Sequence, residues 1–186
     1  MYLPLKIMNT YLKLFIKLIG LLSVVFVVFA ITKFHYGQVP DHPKHKSYVN
    51  SKNIDKTLEC LTLNVFNEAG NEIFEGKVAV AQVTLNRVDH PKFPSDVCKV
   101  VYEKNVFMEK VVCQFSWYCL KPIKVDKNSE SYKESYAAAK KVLLEGFRLD
   151  SLHNAIFYHA DYVKPNWPYK KINKIGTHIF YSDEKK

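Results

Sequence analysis

The chain has 186 residues, enough for one modest domain with appendages. Its 27 Lys and Arg against 18 Asp and Glu give a formal charge of +9, and Arg87 and Arg148 are its only arginines. With so few bidentate forks, arginine readout of phosphates or bases is excluded as a main task and no nucleic-acid partner is expected. A lysine-rich surface suits a diffuse polyanion such as a cell wall.

From Leu14 to Ile31 the sequence is almost entirely apolar, with Lys17 near one end. That length predicts a transmembrane helix, and Lys6, Lys13 and Lys17 favour a cytoplasmic N-terminus. The expected organisation is a cytoplasmic stretch over 1–13, a signal anchor over 14–34, a tether over 35–56 and a globular domain over 57–186. The expected location is a bacterial inner membrane, single-pass, with the domain on the periplasmic or extracytoplasmic side and the membrane itself as a partner. Disulfides persist there, and four cysteines (Cys60, Cys98, Cys113, Cys119) allow three pairings that sequence does not choose among. The tether carries Pro40, Pro43 and three histidines without hydrophobic periodicity.

Thr57 to Gly70 reads as a helix, capped by Asp55 or Thr57 and stopped by a left-handed Gly70. Leu58, Leu61, Val65 and Ala69 recur at spacings of three and four and define its buried stripe. Glu68 falls in the last turn, where unpaired carbonyls disfavour a carboxylate and raise its pKa. A turn follows, then a second helix over about Lys77–Val88, ended by Pro91 and Pro94. Ser95 is expected to cap a short third helix. Gln114 to Tyr118 alternates like a half-exposed strand or hairpin. Ser131 and Glu134 are spaced as a capping box for the longest remaining helix, which Gly146 stops. Ala155–Tyr158 and Thr177–Tyr181 read as strands, joined by a loop containing Pro165, Asn166, Trp167 and Pro168. His159, Asp161 and His178 match no closed ligand set, so no metal and no cofactor are expected.

Asn67-Glu68-Ala69 followed by Glu75-Gly76-Lys77-Val78-Ala79-Val80-Ala81-Gln82-Val83-Thr84-Leu85-Asn86-Arg87-Val88 resembles the opening of the SleB/CwlJ-type cell-wall hydrolases. Phe93-Pro94-Ser95-Asp96-Val97-Cys98-Lys99-Val100-Val101-Tyr102, Cys113-Gln114-Phe115-Ser116-Trp117, Phe157-Tyr158-His159-Ala160 and Ile175-Gly176-Thr177-His178-Ile179-Phe180-Tyr181 extend the likeness over about Leu58–Tyr181. The resemblance implies a lysozyme-like α+β domain, mainly helical with a small hairpin or sheet, that cleaves peptidoglycan glycan strands. It places the catalytic acid on Glu68. Amides, hydroxyls and aromatic faces are what sugar recognition uses, which makes Gln114, Phe115, Ser116, Trp117, Tyr158, His159, Trp167 and His178 the expected substrate contacts. A bridge from Cys98 to Cys113 or Cys119 would pin the cleft wall, with Cys60 free or the fourth partner. A single acid suffices for a lytic transglycosylase. The alternatives are a hydrolytic muramidase and a non-catalytic, membrane-anchored peptidoglycan-binding protein.

Overall fold

The structure, a computed structural model, describes residues 5–36, 53–120 and 124–185. The chain divides into two compact units, Met1–His45 and Lys46–Lys186. The first contains one helix, α1 (Leu5–Tyr36). The expected membrane span is corrected here: no helix among the described residues is long and apolar enough to cross a membrane. In α1 the side chains described run from Lys13 to Val27, with Phe29. The signal anchor, the single-pass inner-membrane placement and the membrane as partner fall with the expected span. Of the expected tether, residues 35–36 close α1, 53–56 open the next helix, and 37–52 lie outside the described residues.

The second unit is α+β. Helix α2 (Ile54–Ala69) buries Leu58, Leu61, Val65 and Ala69 as the spacing predicted. Its ends differ from expectation. Neither Asp55 nor Thr57 caps it; the Thr57 hydroxyl instead donates to the Asn53 carbonyl, 3.0 Å. Gly70 is right-handed (φ −55°), and its smallness serves a close approach. The Phe66 carbonyl and Ser131 Oγ occupy the space a Cβ would need, and the Ser131 hydroxyl donates to the Gly70 carbonyl at 2.7 Å.

Helix α3 (Phe74–Asp89) starts three residues earlier than expected and is buried on nearly all sides. The cause is its place between two cores. Val78, Val80, Ala81, Leu85 and Val88 pack with α2, α4 (Val97–Val101) and α6 (Glu130–Leu143), while Ala79 and Val83 pack with Leu152, Ala155, Ile175 and Phe180 toward the sheet. Asp96, not Ser95, caps α4, accepting from Lys99 N at 2.9 Å. Ser129, not the expected Ser131–Glu134 box, caps α6 by accepting from Tyr132 N. Glu134 pairs instead with Lys77, whose ammonium is 2.7 Å from the carboxylate and 2.8 Å from the Glu72 carbonyl. Lys77 is 2 % exposed and Glu134 44 %, so solvent screens one end of the pair. Glu134→Ala is expected to cost about 1–2 kcal/mol, read from urea unfolding, because it strands a buried ammonium on a single carbonyl.

Between α4 and α6, β1 (Lys104–Phe107) and β2 (Lys110–Cys113) form an antiparallel hairpin. Met108 and Glu109 at its tip both have positive φ, as a two-residue turn that follows the strand twist requires. The strand ends at Cys113, and Ser116–Cys119 is a helical turn, α5, where alternation had predicted extended chain. The disulfides explain the curl. Cys113 bonds Cys119 with Cα atoms 5.8 Å apart, whereas six extended residues span about 20 Å. Cys98 pairs with Cys60, not with Cys113 or Cys119, and so ties α4 to α2. The chain ends in a three-stranded antiparallel sheet, order β3 (Phe157–Ala160), β5 (His178–Lys185), β4 (Tyr169–Ile175). β4 was expected as loop.

Candidate active site

Two long helices and one strand bring the central residues together. Glu68 lies in the last turn of α2, Arg87 in the last turn of α3, and Tyr158 at the second position of β3. The Tyr158 hydroxyl donates to Glu68 Oε2 at 3.0 Å across 90 positions of sequence. Burial raises the pKa of Glu68; the Tyr158 hydrogen bond and the nearby Arg87 charge pull the other way without cancelling it. Burial also drives the Tyr158 phenol well above its ordinary value, reinforced by the Glu68 charge, so this hydroxyl stays a donor throughout the physiological range. The expected elevation at Glu68 therefore comes chiefly from desolvation.

Arg87 is buried, its Nε donating to the Ile156 carbonyl at 2.8 Å. Its guanidinium lies 5.0 Å from the Phe115 ring centroid, 5.4 Å from Phe93 and 5.9 Å from Tyr158. Glu68 opens on a cavity of about 280 Å³ lined also by Phe66, Asn67, Asn71, Glu72 and Ser131. The end of α2 at Ala69 and the turn that follows put Glu68 and Glu72 on the same cavity.

The other expected site residues fall into three groups. His178 stands beside Tyr158, its ring perpendicular to the phenol with centroids 5.2 Å apart. His159 and Trp167 sit on the opposite face of the sheet, since neighbours on a strand point to opposite sides. There His159 Nε2 is 2.9 Å from the Tyr181 hydroxyl and Trp167 packs edge-on to both rings. The loop residues form the third group. Phe115 is buried under Arg87, and Trp117 Nε1 donates to the buried Asn64 at 3.1 Å and packs on the helical core. Gln114 is half-buried and Ser116 exposed. Among the described residues no three His, Cys, Asp or Glu side chains are grouped to hold a metal ion.

Sequence reading passed over Arg87, Asn64 and Glu72. Arg87 shows no motif of its own, and Asn64 reads as one polar residue in an apolar stripe. Glu72 looks like a turn residue until Thr177 is placed against it.

The fold and site define an α+β domain built around one shielded acid. The chain belongs to the cell wall hydrolase family, SleB/CwlJ type: the family model described as Cell Wall Hydrolase matches residues 71–181. A spore cortex-lytic enzyme of Bacillus cereus is 31 % identical over 127 residues, 66 % of this chain and 43 % of that protein. The spore cortex-lytic enzyme of Bacillus subtilis (strain 168) is 28 % identical over 127 residues, 66 % of this chain and 36 % of that protein. The chain thus spans about two fifths of the length of the curated relatives it matches. Among solved structures, the catalytic domain of the Bacillus cereus SleB protein superposes with a TM-score of 0.54 at 26 % identity, covering 75 % of this chain and 99 % of that one. The catalytic domain of the germination-specific lytic transglycosylase SleB from Bacillus anthracis gives 0.53 at 28 % identity, covering 72 % and 100 %.

Proposed function

We propose that this domain cleaves peptidoglycan glycan strands between N-acetylmuramic acid and N-acetylglucosamine, as a lytic transglycosylase with Glu68 as its single general acid and base. The observation that carries this reading is Glu68, whose carboxyl is shielded enough to favour its protonated form on a residue that lines an open cavity. Glu68 gives its proton to the glycosidic oxygen as the bond to C1 of the muramic sugar breaks. The 6-hydroxyl of that same sugar then attacks C1 and closes a 1,6-anhydro ring, and its proton returns to Glu68. No water is consumed, and the acid is regenerated. Tyr158 donates to one carboxyl oxygen and leaves the other for the proton; Arg87 offsets the charge left after donation. Tyr158 and His178 are the expected substrate contacts nearest the acid, with Gln114 and Ser116 more peripheral. The name of the Bacillus anthracis structural relative supports transglycosylation.

A hydrolytic muramidase needs a second carboxylate in most cases. Glu72 lines the same cavity, which favours keeping that reading as the alternative, but its carboxylate is already engaged by Thr177. Digestion of purified peptidoglycan with the full chain, followed by mass spectrometry, separates the two. Products ending in 1,6-anhydromuramic acid are expected; reducing-end muramic acid in their place would make the enzyme a hydrolase.

A further inference from the structure

Glu72 belongs to no helix or strand, yet it is held from several sides. Its side chain is only 11 % exposed. The carboxylate accepts from the Thr177 backbone N–H at 3.1 Å and from the Thr177 hydroxyl, 105 positions downstream. Two glycines make room for it. At Gly76 a Cβ would come within 3.0 Å of the Glu72 Cβ and 3.1 Å of Oε2. At Gly176, where φ is +56°, a Cβ would collide with Oε2. The glutamate is therefore seated in a niche and fastens the β4–β5 turn to the turn between α2 and α3.

His178 is the next residue after Thr177. Its Nδ1 is buried without a hydrogen-bond partner, 3.7 Å from Glu72 Oε1, and its ring braces Tyr158, which bonds Glu68. Asp161, itself paired with Lys174 at 2.7 Å, and His159 are the other charged or titratable groups acting on His178. The groups acting on Glu68 are Tyr158 from β3 and Arg87 from α3; Glu72 is not among them. Whatever Glu72 does for the acid, it does through geometry.

We propose that Glu72 is a positioning residue: by clamping Thr177 it fixes the His178 ring behind Tyr158, and so holds the Tyr158 hydroxyl on Glu68. In its bearing on catalysis this rests on the function proposed above, while the geometric core stands without it. Tyr158 lowers the Glu68 pKa by its hydrogen bond, so slackening that bond leaves Glu68 protonated to higher pH.

The test uses the full chain as wild type, E72A, E72Q and Y158F. Carbon-detected NMR titration of the Glu68 carboxyl and the pH profile of peptidoglycan cleavage are the readouts. In E72A, the Glu68 titration and the alkaline limb of activity are expected to move upward, as in Y158F. kcat falls about 10–100-fold, with KM within about twofold of wild type. Glu72→Gln keeps both Thr177 contacts, through its amide oxygen and nitrogen, and is expected to restore the wild-type titration and most of the rate. A merely structural residue would lower the melting temperature and leave the Glu68 titration in place. That result in E72A overturns the proposal, as does failure of E72Q to restore the titration. Should E72A not fold, T177V removes the hydroxyl donor alone. An upward shift there supports the clamp, and an unshifted Glu68 overturns it. If the wild-type protein leaves peptidoglycan intact, the proposed function fails, and the NMR titration still decides the role of Glu72.

Discussion

Glu68→Gln is expected to lower glycan cleavage by about 10³-fold or more while leaving the fold unchanged, since the amide cannot donate the proton that the leaving oxygen needs. Zymograms and soluble-product assays of the full chain with and without this change measure it. Near-wild-type lysis would remove Glu68 from the role. The same variant has a stability signature with a defined sign. The folded-state pKa of Glu68 is raised, mainly by burial, so the folded protein holds that proton more tightly than the unfolded chain does. Below the ordinary carboxylate value both states are protonated and nothing is lost. As pH rises from that value toward the raised one, the unfolded state ionises first and stability declines; above it the deficit stays constant. Glutamine removes the ionisation. Thermal melts should show Glu68→Gln above wild type near pH 7 and equal to it near pH 4. A lower melting temperature near pH 7 would contradict the desolvation account.

The largest expected stability effect lies at the other end of α2. Cys60–Cys98 closes a span of 38 residues and Cys113–Cys119 one of 6. Loop-closure entropy assigns about 4 kcal/mol to the longer loop and about 2 kcal/mol to the shorter. Replacing Cys60 and Cys98 by serine is therefore expected to lower the unfolding free energy by about 3–4 kcal/mol in urea. Replacing Cys113 and Cys119 should cost half as much and disturb mainly the hairpin. The longer bridge joins two helices that already share the core through Leu61, Val97 and Val101. Its loss should loosen α4 before α3, which hydrogen exchange resolves residue by residue. Equal losses for the two bridges would show that native packing, rather than chain entropy, sets their contribution.

Much of the helical half was legible because its signal is local. The stripe Leu58, Leu61, Val65 and Ala69 needs no partner to be read, and the alanines of α3 announce close packing on α2, although its second face, toward the sheet, was not read. Glu68 was legible from its motif and helix end, although burial rather than the helix terminus supplies most of its shift. What was missed depends on distant partners. β4, with Lys170, Lys171, Asn173 and Lys174, has no apolar alternation and becomes a strand only because β5 pairs with it. Glu72 is explained by Thr177, far along the chain. The disulfide partners were undetermined for the same reason. His159 and Trp167 were grouped with Tyr158 on residue type and the family likeness, but a one-residue step on β3 sends the His159 side chain to the other side of the sheet, where Trp167 packs on it. The apolar run in α1 was given a membrane role on length alone, which the described side chains do not sustain.

The tyrosine on Glu68 arrives with β3, after the three long helices of the second unit have already been made. A ribosome releasing this protein exposes the glutamate well before anything shelters it. Until the late strands dock, that side chain meets water, ionises at the usual pH for its type and has no proton to offer. On the function proposed above, lytic power switches on only with completion of the final sheet, and an unfinished or unravelled copy leaves the glycan intact.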